Sequence, residues 1–269
     1  MFLKTLLTSI TFISSFSFAN DQVASENFAK ATQLYQQRDF VDANGKYSNV
    51  ISAIEILNSA NTAAEDEDLK FDIVILTSRC HYWLAQHSQD KASKITLFQA
   101  AMDSAKLAKS ISNDYAEGFY YYGVALGRWA EANGISESLG RKDELIQSMK
   151  DSKIRSTRQD AKGETIDGMG PDRILGRAYY KLPFFAGGSR SESIKYLSNA
   201  YNNEPKFFLN GIFYAETLSD GGSTAEVAQA CQILKELSNK KPEDGQITRI
   251  PENKEDILDA QKAFKKICN

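Results

Sequence analysis

Histidine is nearly missing from this chain: there are two in 269 residues, His81 and His87. Cysteine is almost as rare, at three, and the two residue types adjoin only at Cys80-His81. Neighbouring positions on a helix point about 100° apart, so the pair makes a poor nucleophile and base, and no base-and-orienter set accompanies it. Neither HExxH nor CxxC spacing occurs, which removes the commonest metal signatures. Gly168-Met169-Gly170 and Gly187-Gly188 lack the lysine of a phosphate loop and read as turns. The chain is therefore expected to be non-catalytic and without a cofactor.

Proline and glycine are sparse too, at five and sixteen. That suits helices and leaves little room for disordered linkers. An excess of positive charge is also lacking: 32 basic residues face 35 acidic ones, and nothing directs the chain to nucleic acid or to an acidic membrane. Long apolar runs are missing apart from one. It follows Lys4, covers Leu6 to Phe18 and ends in Ser17-Phe18-Ala19. A charged start, a short hydrophobic stretch and a small-residue end have the form of a signal peptide over residues 1–19. The run is too short to span a bilayer comfortably. The expected mature chain, from Asn20, is periplasmic or secreted, with no integral membrane segment.

An exported chain with an odd cysteine count holds at most one bridge and one spare thiol. Cys231 and Cys268 fall in the last hairpin and the terminal helix, which must pack together, so they are the pair if a bridge forms. The alternative is three buried small hydrophobes.

What the chain has in quantity is helical periodicity, and within it a repeat. Pro171 recurs as Pro205, Tyr180 as Tyr214, and Gly187-Gly188-Ser189 as Gly221-Gly222-Ser223, each 34 residues later. That period marks tetratricopeptide-type helical hairpins. Ser189 with Glu192, and Ser223 with Glu226, have the spacing of capping boxes, so the local chemistry repeats along with the residues.

Apolar stripes at helical spacing extend the pattern in both directions. Phe28, Ala31, Leu34 and Tyr35 lead to Arg38-Asp39. A connection of a residue or two is expected there, followed by a second helix carrying Phe40, Ala43, Tyr47, Val50 and Leu57. Leu69 to Leu84 and Ile95 to Ala105 form a second hairpin. Phe119, Tyr122, Leu126 and Trp129 open a third, whose partner is a modest helix within 135–168. The basic residues of that helix alternate with acids and read as a solvated face. Ile257, Ala260, Phe264 and Ile267 give the terminal helix one apolar face, as an end cap requires. The expectation is an all-α, tetratricopeptide-like superhelix of antiparallel helix hairpins with a C-terminal capping helix, forming one domain over 20–269.

Such arrays bind along the groove lined by the first helix of each hairpin. On those helices Tyr121, Arg128, Arg173, Arg177 and Tyr180 fall away from the apolar stripes. Arg173, Arg177 and Tyr180 recur at i, i+4, i+7, a spacing suited to a carboxylate or a peptide terminus; the alternative is a solvated or internally paired set. Phe184 and Phe185, in Leu182-Pro183-Phe184-Phe185-Ala186, are unusual in a turn. Burial against the long helix of the third hairpin is expected of them. The alternative is an apolar lip for a partner or a lipid-like ligand.

Leu126-Gly127-Arg128-Trp129-Ala130 with Gly134-Ile135 resembles the signature helix of the T-component (TatT-like) family associated with tripartite (TRAP) substrate transporters. Leu175-Gly176-Arg177-Ala178-Tyr179, Lys181-Leu182-Pro183 and Gly187-Gly188-Ser189 fit the same pattern. The hairpin order and the long gap before the proline-led unit are also similar to regulator-of-microtubule-dynamics proteins. The resemblance covers residues 115–240 and, in architecture only, the first two hairpins. It implies an exported helical-repeat protein that partners a periplasmic solute-binding protein, with an apolar channel for a hydrophobic small molecule. Unlike lipid-anchored members, this chain has no cysteine following Ala19. The alternative is a general protein-interaction scaffold in cell-envelope assembly.

Overall fold

The structure, a computed structural model, describes residues 3–268, with side chains from residue 19 onward. The leader expected over 1–19 falls almost wholly outside the residues whose side chains are described. Among the described residues every regular element is helical and no strand forms. None of these helices is long and apolar enough to cross a membrane. The chain divides into two compact units, Met1–Asn133 and Gly134–Asn269.

The first unit holds α1 (Leu3–Gln36), α2 (Ser48–Ala63), α3 (Glu67–His87), α4 (Lys91–Ile111) and α5 (Ala116–Asn133). α1 pairs with α2 and α3 with α4, α5 lies on α4, and α3 touches both α1 and α5. Asp66 and Asp90 start α3 and α4 by accepting the N–H groups of Leu69 and Ser93, each at 2.7 Å. Such caps satisfy donors that a helix start otherwise leaves open. Leu57, Ile73, Leu76 and Trp83 join α1, α2 and α3 in one core, and Phe71, Val74 and Ala108 form another.

The first connection differs from expectation. Eleven residues, 37–47, separate α1 from α2, and Phe40 and Val41 stand exposed in that loop instead of lining a helix. The reason is local. The Asp42 carboxylate accepts the N–H groups of Asn44 and Lys46 at 2.8 and 3.0 Å, a turn that competes with helix for the same backbone donors.

The second unit holds α6 (Ile135–Lys153), α7 (Ile166–Lys181), α8 (Arg190–Asn203), α9 (Phe208–Ser219), α10 (Thr224–Ser238) and α11 (Ile250–Cys268). α6, expected as the second helix of the third hairpin, packs against α7. α7 pairs with α8 and α9 with α10. The first residues of α7 are irregular: Asp167, Gly168 and Met169 are all left-handed, and regular helix begins only at Gly170. Pro171 then sits in the first turn, where its missing N–H leaves no hydrogen bond unmade.

The 34-residue repeat has a visible cause. Gly187 and Gly221 both take left-handed φ values, +93° and +65°, which glycine adopts without steric cost. Ser189 and Ser223 then cap α8 and α10 by accepting from the N–H groups of Glu192 and Glu226. Only Ser223 and Glu226 close the box in both directions; the Glu192 carboxylate turns to Lys195. Gly176 lets α7 approach α8, since a Cβ there would stand 2.5 Å from Leu197 Cγ.

The terminal helix α11 packs on α9 and α10, with Ile257, Ala260 and Ala263 entering the core of Leu197, Phe208, Ile212 and Leu234. Cys231 on α10 and Cys268 at the end of α11 are bridged, with Cα atoms 5.7 Å apart. Cys80 is a buried free thiol.

Candidate functional site

The expected binding residues fall in both units. In the first, Tyr121 and Arg128 lie two turns apart on α5, and each meets α3. The Arg79 guanidinium lies 5.7 Å from the Tyr121 ring centroid and 5.0 Å from that of Tyr35 on α1. Arg128 shares a hydrogen bond with the Tyr82 hydroxyl and donates to Glu131 at 2.9 Å, with 42% of its side chain still exposed. Buried Arg38 adds a third guanidinium, over the rings of Tyr35 and Trp83. Arg38 and Arg79 thus lie over aromatic rings, an attractive geometry in its own right, while Arg128 engages a tyrosine through its hydroxyl.

In the second unit, one face of α7 runs from interior to solvent. Arg173, at its start, is only 2% exposed. It donates to the carbonyls of Asp167 and Gly168, to Asn210 Oδ1 and to Asp167 Oδ2, at 2.9 to 3.1 Å. Arg173 shares a face with Arg177 and Tyr180, as expected, but the expectation that this position lies away from the buried side of the helix does not hold. The left-handed turn and the start of α9 cover this end of the helix, and Arg173 satisfies their polar groups.

One turn on, Arg177 is 21% exposed. Its Nη1 donates to Glu216 Oε2 at 2.5 Å, and its guanidinium lies 4.2 Å from the centroid of the Phe213 ring. Tyr180 follows, its hydroxyl bonded to Asp220. Burial, and then the adjacent Asp220 carboxylate, push that hydroxyl's pKa above the usual range. Two cross-helix pairs, Arg177–Glu216 and Tyr180–Asp220, therefore form a ladder between α7 and α9. The carboxylates that Arg177 and Tyr180 were expected to seek in a ligand are supplied internally.

Phe184 and Phe185 come next, and they are 93% and 83% exposed. Burial of this pair against a helix of the third hairpin does not occur. Comparison across the repeat explains their position. Residues 183–185 correspond to 217–219, which are the last turn of α9. Pro183 has no N–H and disfavours helical backbone before it, so α7 stops a turn earlier. Leu182 turns extended, and Phe184–Ala186 form a separate 3₁₀ turn closed by left-handed Gly187. The final turn of a first helix has become an exposed apolar projection.

Burial pushes the Cys80 thiol up to about 12, so it stays protonated at neutral pH and is a poor nucleophile. Burial lowers the His81 pKa and keeps its ring neutral. His87 packs on Trp83 and Tyr47, with Nδ1 2.8 Å from the Trp83 carbonyl. The partners that sequence reasoning missed are Arg79 and Tyr82 in the first unit and Phe213, Glu216 and Asp220 in the second. Their signal was present: each set recurs at three- and four-residue spacing, like the residues it meets.

The chain matches no family model, and no curated protein is significantly similar to it.

Proposed function

We propose that this chain is an exported, non-catalytic helical-repeat protein that docks a partner protein through the Phe184–Phe185 lip. The observation that carries the reading is the exposure of two adjacent phenylalanines on a turn held by Pro183 and Gly187. A flexible tail can hide such a pair, but a fixed turn presents it. Burying each ring in a partner is worth about 1.5–3 kcal/mol, enough for the centre of a small interface. The Arg177–Glu216 and Tyr180–Asp220 ladder lies just behind it, with its polar groups already paired, as in the rim of a docking surface. The resemblance of residues 115–240 to T-components supports a periplasmic solute-binding protein as the partner.

The test is native mass spectrometry of the protein purified from cells that make it, beside a Phe184→Ser, Phe185→Ser double variant with unchanged circular dichroism. The expected result is a stoichiometric protein partner on the natural chain and at least a tenfold loss from the variant. Equal retention by the variant would refute the lip. The partner's identity then separates a T-component relative from a scaffold of envelope assembly.

A further inference from the structure

Deep in the second unit, four segments meet around one ring. Phe207, ahead of α9, is 1% exposed. The Arg173 guanidinium lies 3.8 Å from its centroid and that of Arg249 lies 3.5 Å away. Arg173 holds the left-handed turn at 167–169, as described above, and Asn210 Nδ2 adds a bond to the Gly168 carbonyl at 3.1 Å. Arg249 belongs to the short turn that leads into the capping helix. It donates to Asp256 on α11 at 3.4 Å, and both side chains are largely buried. The charged groups facing Asp256 are Arg249 from that turn, Arg173 from α7 and Glu252 from α11 itself.

We propose that this cluster is a proton-operated latch: acid closes the N-terminal end of α11 and the 167–169 turn, and neutral pH loosens them. Asp256 is the lock. Its carboxylate is buried with one long hydrogen bond, 3.4 Å from Arg249. Arg249 and Arg173 attract its charge and Glu252 opposes it, and the cost of enclosing the charge outweighs that attraction. Protonation removes that cost. Burial, the dominant influence, carries its pKa from 3.8 up to about 6 against the pull of both arginines. A carboxyl that binds its proton more tightly when enclosed stabilises the enclosed form as pH falls through that range.

The far end of α11 cannot take part, because Cys268 is fixed to Cys231. Opening is therefore confined to the end that carries Arg249 and Asp256. It reaches the left-handed turn because Arg249, Phe207 and Arg173 stack as one column. Asp167 and Met169 hold φ of 49° and 61° there, a conformation that persists only while its surroundings enforce it.

Hydrogen exchange followed by mass spectrometry tests this, with rates corrected for intrinsic pH dependence. Between pH 7.5 and 5, opening of segments 246–257 and 163–173 should fall about tenfold in the natural chain. In Asp256→Asn it should be flat, and α10 should show no change in either protein. Opening in the natural chain that ignores pH or rises in acid would overturn the proposal, as would an equal pH response in the variant. If the variant does not fold, the Asp256 carboxyl is titrated by NMR in the natural chain. A midpoint near 6 supports the latch; one in the usual aspartate range overturns it.

Discussion

Arg173 and Arg177 are one helical turn apart on α7, and their surroundings give them opposite roles. Arg173 is enclosed and bonds two carbonyls, an amide and a carboxylate. Replacing it with Leu strips partners from buried polar groups, and about 3 kcal/mol of stability should be lost. Arg177→Leu breaks a pair whose members are 21% and 30% exposed, and should cost about 1 kcal/mol or less. Urea denaturation of both variants checks the contrast. Similar losses in the two would show that Arg173 is no more integral than its neighbour. Sequence gave no means of separating these arginines. Their spacing put them on one face correctly, but what covers that face is set by the left-handed turn and the start of α9, elements distant in sequence or irregular in backbone.

Elements were more legible than sites, wherever their determinants are local. Asp66, Asp90, Ser189 and Ser223 begin helices where capping chemistry says they should. The Pro171/Pro205 and Gly187/Gly221 correspondences mark two hairpins of common design. Within the 37–47 loop, the stretch from Phe40 onward was read as helix because Phe40, Ala43 and Tyr47 fit the period, and the Asp42 turn that overrides it leaves no trace in hydrophobic pattern. Phe184 and Phe185, for which an exposed lip was the alternative, were expected in the interior for a related reason. Apolar residues were assigned to the interior, whereas Pro183 had already removed the helical turn that would carry them there.

The pairing of Cys231 with Cys268 was readable from the need of the last hairpin and the cap to pack, but whether a bridge forms at all was not; the structure shows that it does. It closes a loop with a sequence separation of 37, so reduction should cost about 4 kcal/mol on the chain-entropy account. Thiol alkylation of the folded, unreduced protein should label nothing. Burial and a pKa raised to about 12 protect the Cys80 thiol only while the chain is folded. After unfolding without reductant it alone should react, since Cys231 and Cys268 are bridged. A label on Cys231 or Cys268 under those conditions would contradict the bridge.

At the scale of the whole molecule, the two units share a construction and differ in what they display. Each lines the first helices of its hairpins with arginine, tyrosine and acidic side chains that engage one another. The second adds an apolar projection where the hairpin rule is interrupted. Repeat arrays commonly bind along a groove; here the most distinctive surface is a turn between helices. The most direct test places a photo-crosslinking benzoylphenylalanine at Phe185 and, as a control, at Ile154, which is also exposed. Irradiation in the cells that make the protein should give one discrete protein adduct from position 185 and none from 154. No adduct at 185, or the same adducts from both positions, would contradict docking through this lip.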